Sequence, residues 1–331
     1  MSLLPAAVPV ITQHERWFVE SHDAGDWSFF LSPLPLVLTA AVVVVAVAWR
    51  LVSLRVDRPE LGVLHPLGRL GPWVPRLLGI HLGVALLALA ATGAFVTPSN
   101  DHLHGAAGGS LLLVEAALGI WLISGYQVRH AALVVLGLGP ALGFVAGFTA
   151  LGECANLAAV AAFLVVVPPG RDEYGAARPS AARLRLGLLL LRVGVGTALI
   201  VLAFTEKLTN PAMALDTLDH YPSLDVFGLV GIHLAPETFI VIAGATELLF
   251  GLLIISGALP QVAVLVAMVP FNATLLLFGQ PELVGHLPVY GVFLALLVYG
   301  SDVSTAPSVR WLPSLRRSHT VHAQQAAGNL A

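Results

Sequence analysis

Residues 34–54 read LPLVLTAAVVVVAVAWRLVSL, a long apolar run with one arginine near its end. A transmembrane helix needs roughly 20 mostly apolar residues, so this stretch is long enough to cross a bilayer. The run is continuous rather than alternating, and Leu184–Val195 has the same character. Because the strands of a membrane barrel alternate apolar and polar residues, these runs favour helices.

The composition extends this conclusion to the whole chain of 331 residues. Hydrophobic residues make up 57 % and charged residues 11 %, whereas soluble domains carry about 25 % charged residues. The 16 Lys and Arg residues are outnumbered by 19 Asp and Glu, which leaves no basic surface for a nucleic acid. A single cysteine excludes an intramolecular disulfide. The composition therefore excludes a soluble enzyme, a disordered chain and a nucleic-acid-binding protein, and it predicts a protein embedded in the lipid bilayer.

Eight further stretches have the length and apolar character of a membrane span, which gives nine in total. They are residues 75–96, 105–124, 130–149, 152–168, 186–205, 237–257, 260–279 and 285–300. The fold class that we predict is all-α: a polytopic helical membrane protein with about nine transmembrane helices.

The basic residues predict the orientation of these spans. With nine spans, one set of loops holds only Arg16 and Lys207. The other set holds the remaining basic residues, which are Arg50, Arg55, Arg58, Arg69, Arg76, Arg129, Arg171, Arg178, Arg183, Arg185, Arg192, Arg310, Arg316 and Arg317. The positive-inside rule places this second set in the cytoplasm, with the N-terminus outside the plasma membrane and the C-terminus inside. Residues 1–33 are then an extracytoplasmic amphipathic segment, and residues 301–331 form a cytoplasmic tail.

Two segments match in register and indicate an internal repeat. Val114–Gly125 reads VEAALGIWLISG, and Thr246–Gly257 reads TELLFGLLIISG. The match aligns Glu115 with Glu247 inside two predicted spans, where a carboxylate is uncommon.

The repeat predicts a leading helix at residues 34–54 followed by two tandem four-helix bundles. The first unit covers residues 75–168 and the second covers residues 186–300, with a cytoplasmic linker at 169–185. Both units begin and end on the same side, so they are parallel repeats. Asn156 stands in the first unit where His286 stands in the second, which makes the first unit a degenerate copy.

Glu247 is the strongest single indication of a functional site. It lies about ten residues from the outer end of its predicted span, where an ionised carboxylate must be paired, hydrated or protonated. One interpretation is a proton relay or a contact to a quinone or a cation. The alternative is a neutral carboxyl group that only bonds neighbouring helices together. Glu115 is its counterpart in the first unit.

Several other polar residues of the second unit are expected in the same half of the bilayer. Glu206 ends its span beside Lys207, Asn272 lies in the next-to-last span, and His286 and Tyr290 are four residues apart on the last. In a compact bundle, Glu206, Glu247, Asn272 and His286 would converge in a water-accessible pocket open to the outside. The alternatives are an interfacial Glu206–Lys207 ion pair and a histidine that merely begins a helix.

One arginine at the start of a predicted span and a group of histidines outside the second unit are further candidates for binding ions. Arg192 is expected to extend towards phosphates at the cytoplasmic surface. His102 and His104, with His14 and His22, are weak candidates for a metal site. No HExxH or CxxC motif accompanies them, and we expect no metal site.

Three motifs follow one another in residues 186–300. Leu191-Arg192 precedes a span that ends Glu206-Lys207-Leu208-Thr209-Asn210-Pro211. A helix containing Glu247, Gly251 and Gly257 comes next, and Gly285–Gly291 (GHLPVYG) opens the last span. In this pattern the second unit resembles the DoxX family of small four-helix membrane proteins, and the first unit is similar in pattern alone.

The resemblance implies an association with membrane-bound redox systems, which in that family include subunits of thiosulfate:quinone oxidoreductase. Related redox members often carry cysteine pairs, and this chain has only one cysteine, so a thiol–disulfide relay is not implied. The expected function is a redox-associated subunit of a membrane complex that interacts with a quinone and with other membrane or extracytoplasmic redox proteins. The alternatives are a transporter or channel for a proton, a metal ion or a small solute, and a non-catalytic membrane scaffold.

Overall fold

The computed structural model describes residues 25–97, 105–171 and 174–313. Within these ranges the regular structure is helical and no strand forms. The α-helices are α1 (Trp27–Phe30), α2 (Pro33–Ser53), α3 (Val74–Ala91), α4 (Gly105–Ser124), α5 (Val128–Glu153), α6 (Ala155–Val166), α7 (Ala181–Leu202), α8 (Pro211–His220), α9 (Val226–Leu229), α10 (Pro236–Ser256), α11 (Pro260–Phe278), α12 (Gln280–Ser301) and α13 (Ala306–Arg310). A 3-10 segment at Gly62–Trp73 precedes α3, and a π-helical turn at Ala203–Leu208 follows α7.

Seven helical segments in the described part of the chain are long and apolar enough to cross a bilayer. They include α2, α4, α10, α11 and most of α12, together with α3 and α7 extended by their adjoining 3-10 and π segments. The prediction of an all-α polytopic membrane protein is confirmed. Helices α5 and α6 coincide with two further predicted spans, so the count of nine stays a prediction.

Proline and glycine set the helix boundaries where the sequence indicates them. Pro33 and Pro236 occupy the first positions of α2 and α10, where the missing N–H is not needed. Helix α10 ends at Gly257, whose φ of 60° lies in the left-handed region that glycine adopts without strain. Pro260 then begins α11 after a two-residue turn.

The long helices form two rings of four. In one ring α3 packs on α4 and α6, while α5 packs on α4 and α6. In the other ring α7 packs on α10 and α12, while α11 packs on α10 and α12. The rings join where α6 packs on α7 and α3 packs on α12, so the last helix of each ring contacts the first helix of the other. These rings occupy the same stretches of chain as the two predicted repeat units.

The tightest helix crossings also correspond between the rings. A Cβ atom added to Gly83 of α3 would lie 2.7 Å from the carbonyl oxygen of Gly119 in α4. A Cβ atom added to Gly196 of α7 would lie 2.6 Å from the carbonyl oxygen of Gly251 in α10. Because small residues let helix backbones approach closely in membranes, both crossings depend on glycine.

Helix α2 lies outside the two rings and packs on α10. Its outward side is apolar and exposed, with Val44 67 % and Val47 55 % accessible. An exposed aliphatic surface of this kind faces lipid in a membrane protein. The leading helix therefore adds to the second ring without entering it.

Arg192 does not extend to the surface as the sequence suggested. Its side chain is fully buried in α7. Nη1 donates to the carbonyl oxygen of Val309 at 2.5 Å, and Nη2 donates to that of Trp311 at 2.6 Å. Helix α13 folds back against α7, and the carbonyl groups of Val309 and Trp311 are the partners of the two terminal nitrogens of the guanidinium.

Candidate functional site

Glu206 and Lys207 lie on the π-helical turn at the end of α7. The turn widens because the N–H of Thr209 bonds to the carbonyl of Phe204, five residues earlier, at 2.9 Å. Single π-helical turns are frequent at functional sites. Glu206 is only 2 % exposed, and its carboxylate Oε2 lies 3.8 Å from the ammonium of Lys207.

Glu247 forms an ion pair with the same lysine. The Nζ atom of Lys207 lies 3.0 Å from Oε1 of Glu247, and the exposed fractions of the two side chains are 12 % and 32 %. Oε2 of Glu247 is buried and has no hydrogen-bond partner within the described residues. One ammonium group thus lies between two carboxylates contributed by the π turn and α10, which offsets the cost of placing these charges in a membrane protein.

The other predicted members of this site lie apart from that cluster. Asn272 is exposed on α11, where its amide donates to the carbonyl of Met268 at 2.6 Å. His286 is on α12, with Nδ1 3.3 Å from Oε1 of Glu282. Its ring contacts Phe271 at a centroid distance of 4.6 Å. The expected convergence of all four residues is therefore not observed, because Asn272 faces outward and His286 packs against α11.

Tyr290 belongs with His286 and not with the carboxylates. Its hydroxyl donates to the carbonyl oxygen of Phe271 at 3.1 Å. The hydroxyl of Thr274 also donates to this carbonyl oxygen, at 3.1 Å. Tyr290 and His286 thus tie α12 to α11.

Glu115 is fully buried in α4 and holds the backbone that follows α3. Its Oε1 accepts the N–H of Val96 at 2.9 Å, and the thiol of Cys154 donates to the carbonyl of Val96 at 3.8 Å. Val96 has a φ of 60°, which is rare for a β-branched residue and indicates strain. The buried side chains of Glu115 and Cys154 therefore bond to the N–H and the carbonyl group of the strained Val96.

That residue forms part of a cleft between the two rings, which is the site we identify. The cleft lies where α3, α6, the end of α7 and α12 meet. Its polar lining comprises Thr97, Glu153, Cys154, Asn156 and Glu206, and its apolar lining includes Ala85, Leu89, Leu157, Leu202 and Pro288. Thr97, Cys154 and Glu206 are each less than a tenth exposed.

Only Glu206 of the predicted site residues lines this cleft directly. Glu115 supports its wall through Val96, and Glu247 is connected to Glu206 through Lys207. Sequence reasoning did not assign Thr97, Glu153 or Cys154 to the site, because they come from the first unit. The adjacent Glu153, Cys154 and Asn156 were the available signal, since three polar residues at the start of a span are uncommon.

The weak metal candidates His14, His22, His102 and His104 lie outside the described residues. Within residues 25–97, 105–171 and 174–313, no three His, Cys, Asp or Glu side chains are placed to hold a metal ion together.

The helices and the cleft define the class of the molecule, an all-α polytopic membrane protein with a carboxylate-lined site between two four-helix rings. Compared with protein-family models, with curated proteins and with solved structures, the chain matches none.

Proposed function

We propose that this protein is a quinone-interacting subunit of a membrane redox complex and that the cleft between the rings is its quinone site. The observation that carries the proposal is the mixed lining of the cleft. It combines the buried carboxylate of Glu206 and the polar residues Glu153, Cys154 and Asn156 with apolar side chains. Ligand sites of this kind combine apolar walls with a few placed polar groups.

The chemistry of a quinone fits these two kinds of lining. The hydroxyl group of a quinol donates a hydrogen bond to a carboxylate, and Glu206 is a suitable acceptor. The carbonyl oxygen of the oxidised form accepts a hydrogen bond, for which the amide of Asn156 and the hydroxyl of Thr97 are suitable donors. The apolar ring and tail would contact Leu89, Leu157 and Leu202.

Electron transfer in this proposal needs a partner. A quinone takes up two electrons and two protons to become a quinol, and the electrons come from the redox centre of a partner oxidoreductase. The resemblance of residues 186–300 to the DoxX family supports such a partner. Glu206 exchanges the protons, and Lys207 with Glu247 adjusts the charge of that carboxylate. The positive-inside distribution of arginine supports a cleft in the outer half of the plasma membrane, with the N-terminus outside.

Quinone titration of the purified full-length protein tests the proposal. A short-tailed quinone and its reduced form are titrated against wild type, E206Q and E237Q, with binding followed by the shift in thermal unfolding. Glu237 is exposed at the start of α10 and provides the matched control. We expect E206Q to weaken quinol binding about tenfold or more, because a charge-assisted hydrogen bond is lost. Equal binding by E206Q and wild type would overturn the assignment of the cleft.

Proton passage is a second candidate function, favoured by one observation. The ammonium of Lys207 bridges the carboxylates of Glu206 and Glu247 at 3.8 and 3.0 Å, and chains of ionisable groups are the means by which protons cross membrane proteins. Acidification of liposomes that contain the protein, with a pH-sensitive dye inside, distinguishes this function. Flux that disappears in K207M supports it, and flux no greater than that of empty liposomes excludes it.

A further inference from the structure

Two arginines converge on the turn that ends α10. The Nη1 atom of Arg50 donates to the carbonyl oxygen of Ser256 at 2.9 Å. The guanidinium of Arg192 lies directly against Gly257, where any side chain would collide with it. The left-handed glycine therefore makes room for a buried guanidinium at the end of a helix, where the carbonyl dipoles favour positive charge.

Arg192 has more hydrogen-bonding capacity than its neighbours use. Its two terminal nitrogens donate to the carbonyls of Val309 and Trp311. Its Nε atom is buried and has no hydrogen-bond partner among the residues that the structure describes. A buried donor without a partner destabilises the folded state, so a ligand that accepts its hydrogen bond is stabilised there.

Arg58 brings two more such donors. Its Nη1 atom bonds to Oε2 of Glu60 at 2.8 Å, and its side chain is 10 % exposed. Its Nε and Nη2 atoms are buried without a partner in the described ranges. Glu60 is itself held by the N–H of Gln261 at 2.8 Å. This bond fastens Arg58 close to the start of α11, four residues after Gly257.

The group carries a strong positive charge. Arg50 lies within electrostatic range of Arg58, Arg192 and Arg310, while Glu60 is the acidic residue paired within the group. Four guanidinium groups thus outnumber the one carboxylate that is paired with them. This is where α2 and α10 end, and both helices are long and apolar enough to cross a bilayer.

We propose that Arg50, Arg58, Arg192 and Arg310 form a binding site for a phosphate group, carried by an anionic phospholipid or present as free phosphate. Guanidinium groups bind phosphate oxygens with paired, charge-assisted hydrogen bonds. The unpartnered N–H groups of Arg58 and Arg192 supply the donors. The site is separate from the cleft, because none of these arginines lines the cleft.

The test uses purified full-length protein in a neutral detergent. Thermal unfolding is measured with dioctanoyl phosphatidylglycerol, dioctanoyl phosphatidylcholine and inorganic phosphate, each at matched ionic strength. The variants are R58Q and R310Q, so that a folding defect in one leaves the other to be measured. R129Q is the control, because Arg129 is an exposed arginine at the start of α5 and its loss changes the net charge equally.

We expect phosphatidylglycerol to raise the unfolding temperature more than phosphatidylcholine does. Its apparent affinity should fall about tenfold or more in R58Q and stay within about twofold in R129Q. A response to inorganic phosphate with the same dependence on Arg58 supports the site with a soluble ligand instead of a lipid. Equal effects of both lipids with no response to phosphate, or equal losses in R58Q and R129Q, would overturn the proposal.

Discussion

The N–H of Val96 donates to Oε1 of Glu115 at 2.9 Å across the boundary between α3 and α4. This bond joins the best-matched residue of the sequence repeat to the wall of the cleft. Its counterpart Glu247 forms an ion pair with Lys207 and not a bond to the backbone. Equivalent carboxylates thus have different partners in the two rings. Glu115 bonds to a residue of the cleft wall, and Glu247 is connected to the cleft residue Glu206 through Lys207.

Glu115 is expected to stabilise the fold through Val96. The E115A variant leaves the N–H of Val96 buried without a partner, which costs about 1–3 kcal/mol of unfolding free energy. E115Q retains an acceptor oxygen and should lose less. Thermal unfolding in detergent measures both, with E237A as the exposed control. Equal stability of E115A and wild type would contradict the role of this bond.

The Lys207–Glu247 pair should show coupling. K207A leaves the carboxylate of Glu247 without the ammonium that lies 3.0 Å away, so it should destabilise the protein more than the double variant K207A/E247Q does. A double-mutant cycle on unfolding free energy is expected to give a coupling of about 1 kcal/mol or more. Additive effects of the two substitutions would show that the pair contributes nothing to the folded state.

The glycine crossing of α7 and α10 should not tolerate a methyl group. In G251A the new Cβ would lie 2.8 Å from the carbonyl oxygen of Gly196, and forced repacking of this kind costs about 1–3 kcal/mol. Gly137 lies inside α5 with nothing within 4 Å of its added Cβ, so G137A should be neutral or stabilising. Similar unfolding temperatures for the two variants would refute the close approach of these helices.

Asp302 lies outside the membrane-spanning helices, and its carboxyl group should make the stability of the fold depend on pH. Hydrogen bonds from Ser304 lower the pKa of the Asp302 carboxyl below its usual value. The stabilisation is therefore present at pH values above the unfolded pKa and is lost as the pH falls through the lower folded pKa. Between about pH 5 and pH 2, the unfolding temperature of D302N should therefore change less with pH than that of wild type does. D219N, which changes an exposed carboxylate on α8, should retain the wild-type profile.

The sequence predicted helix positions well where proline and glycine mark them. The predicted spans 34–54, 237–257 and 260–279 correspond to Pro33–Ser53, Pro236–Ser256 and Pro260–Phe278. These boundaries follow from local chemistry, because proline fits the first turn of a helix and Gly257 ends one in a left-handed conformation.

The site was harder to predict because it depends on packing between distant helices. The cleft forms where α3 meets α12 and α6 meets α7, and no local pattern indicates those contacts. Glu206 was chosen for its position at the end of a span, but Thr97 and Glu153, which line the cleft with it, come from the first unit. In a helix that is apolar on all sides, the hydrophobic pattern does not distinguish a buried face from an exposed one. It therefore could not show that Asn272 points outward.

Photoaffinity labelling is the most direct test of the central claim that the cleft binds a quinone. The purified protein is irradiated with an azido-quinone, with and without excess unlabelled quinone, and the labelled peptides are identified by mass spectrometry. The account predicts competed labelling in residues 85–97, 153–157, 202–206 or 284–288, which contribute to the cleft. Label that is not competed and is confined to lipid-facing residues, such as 43–47 of α2, would contradict it.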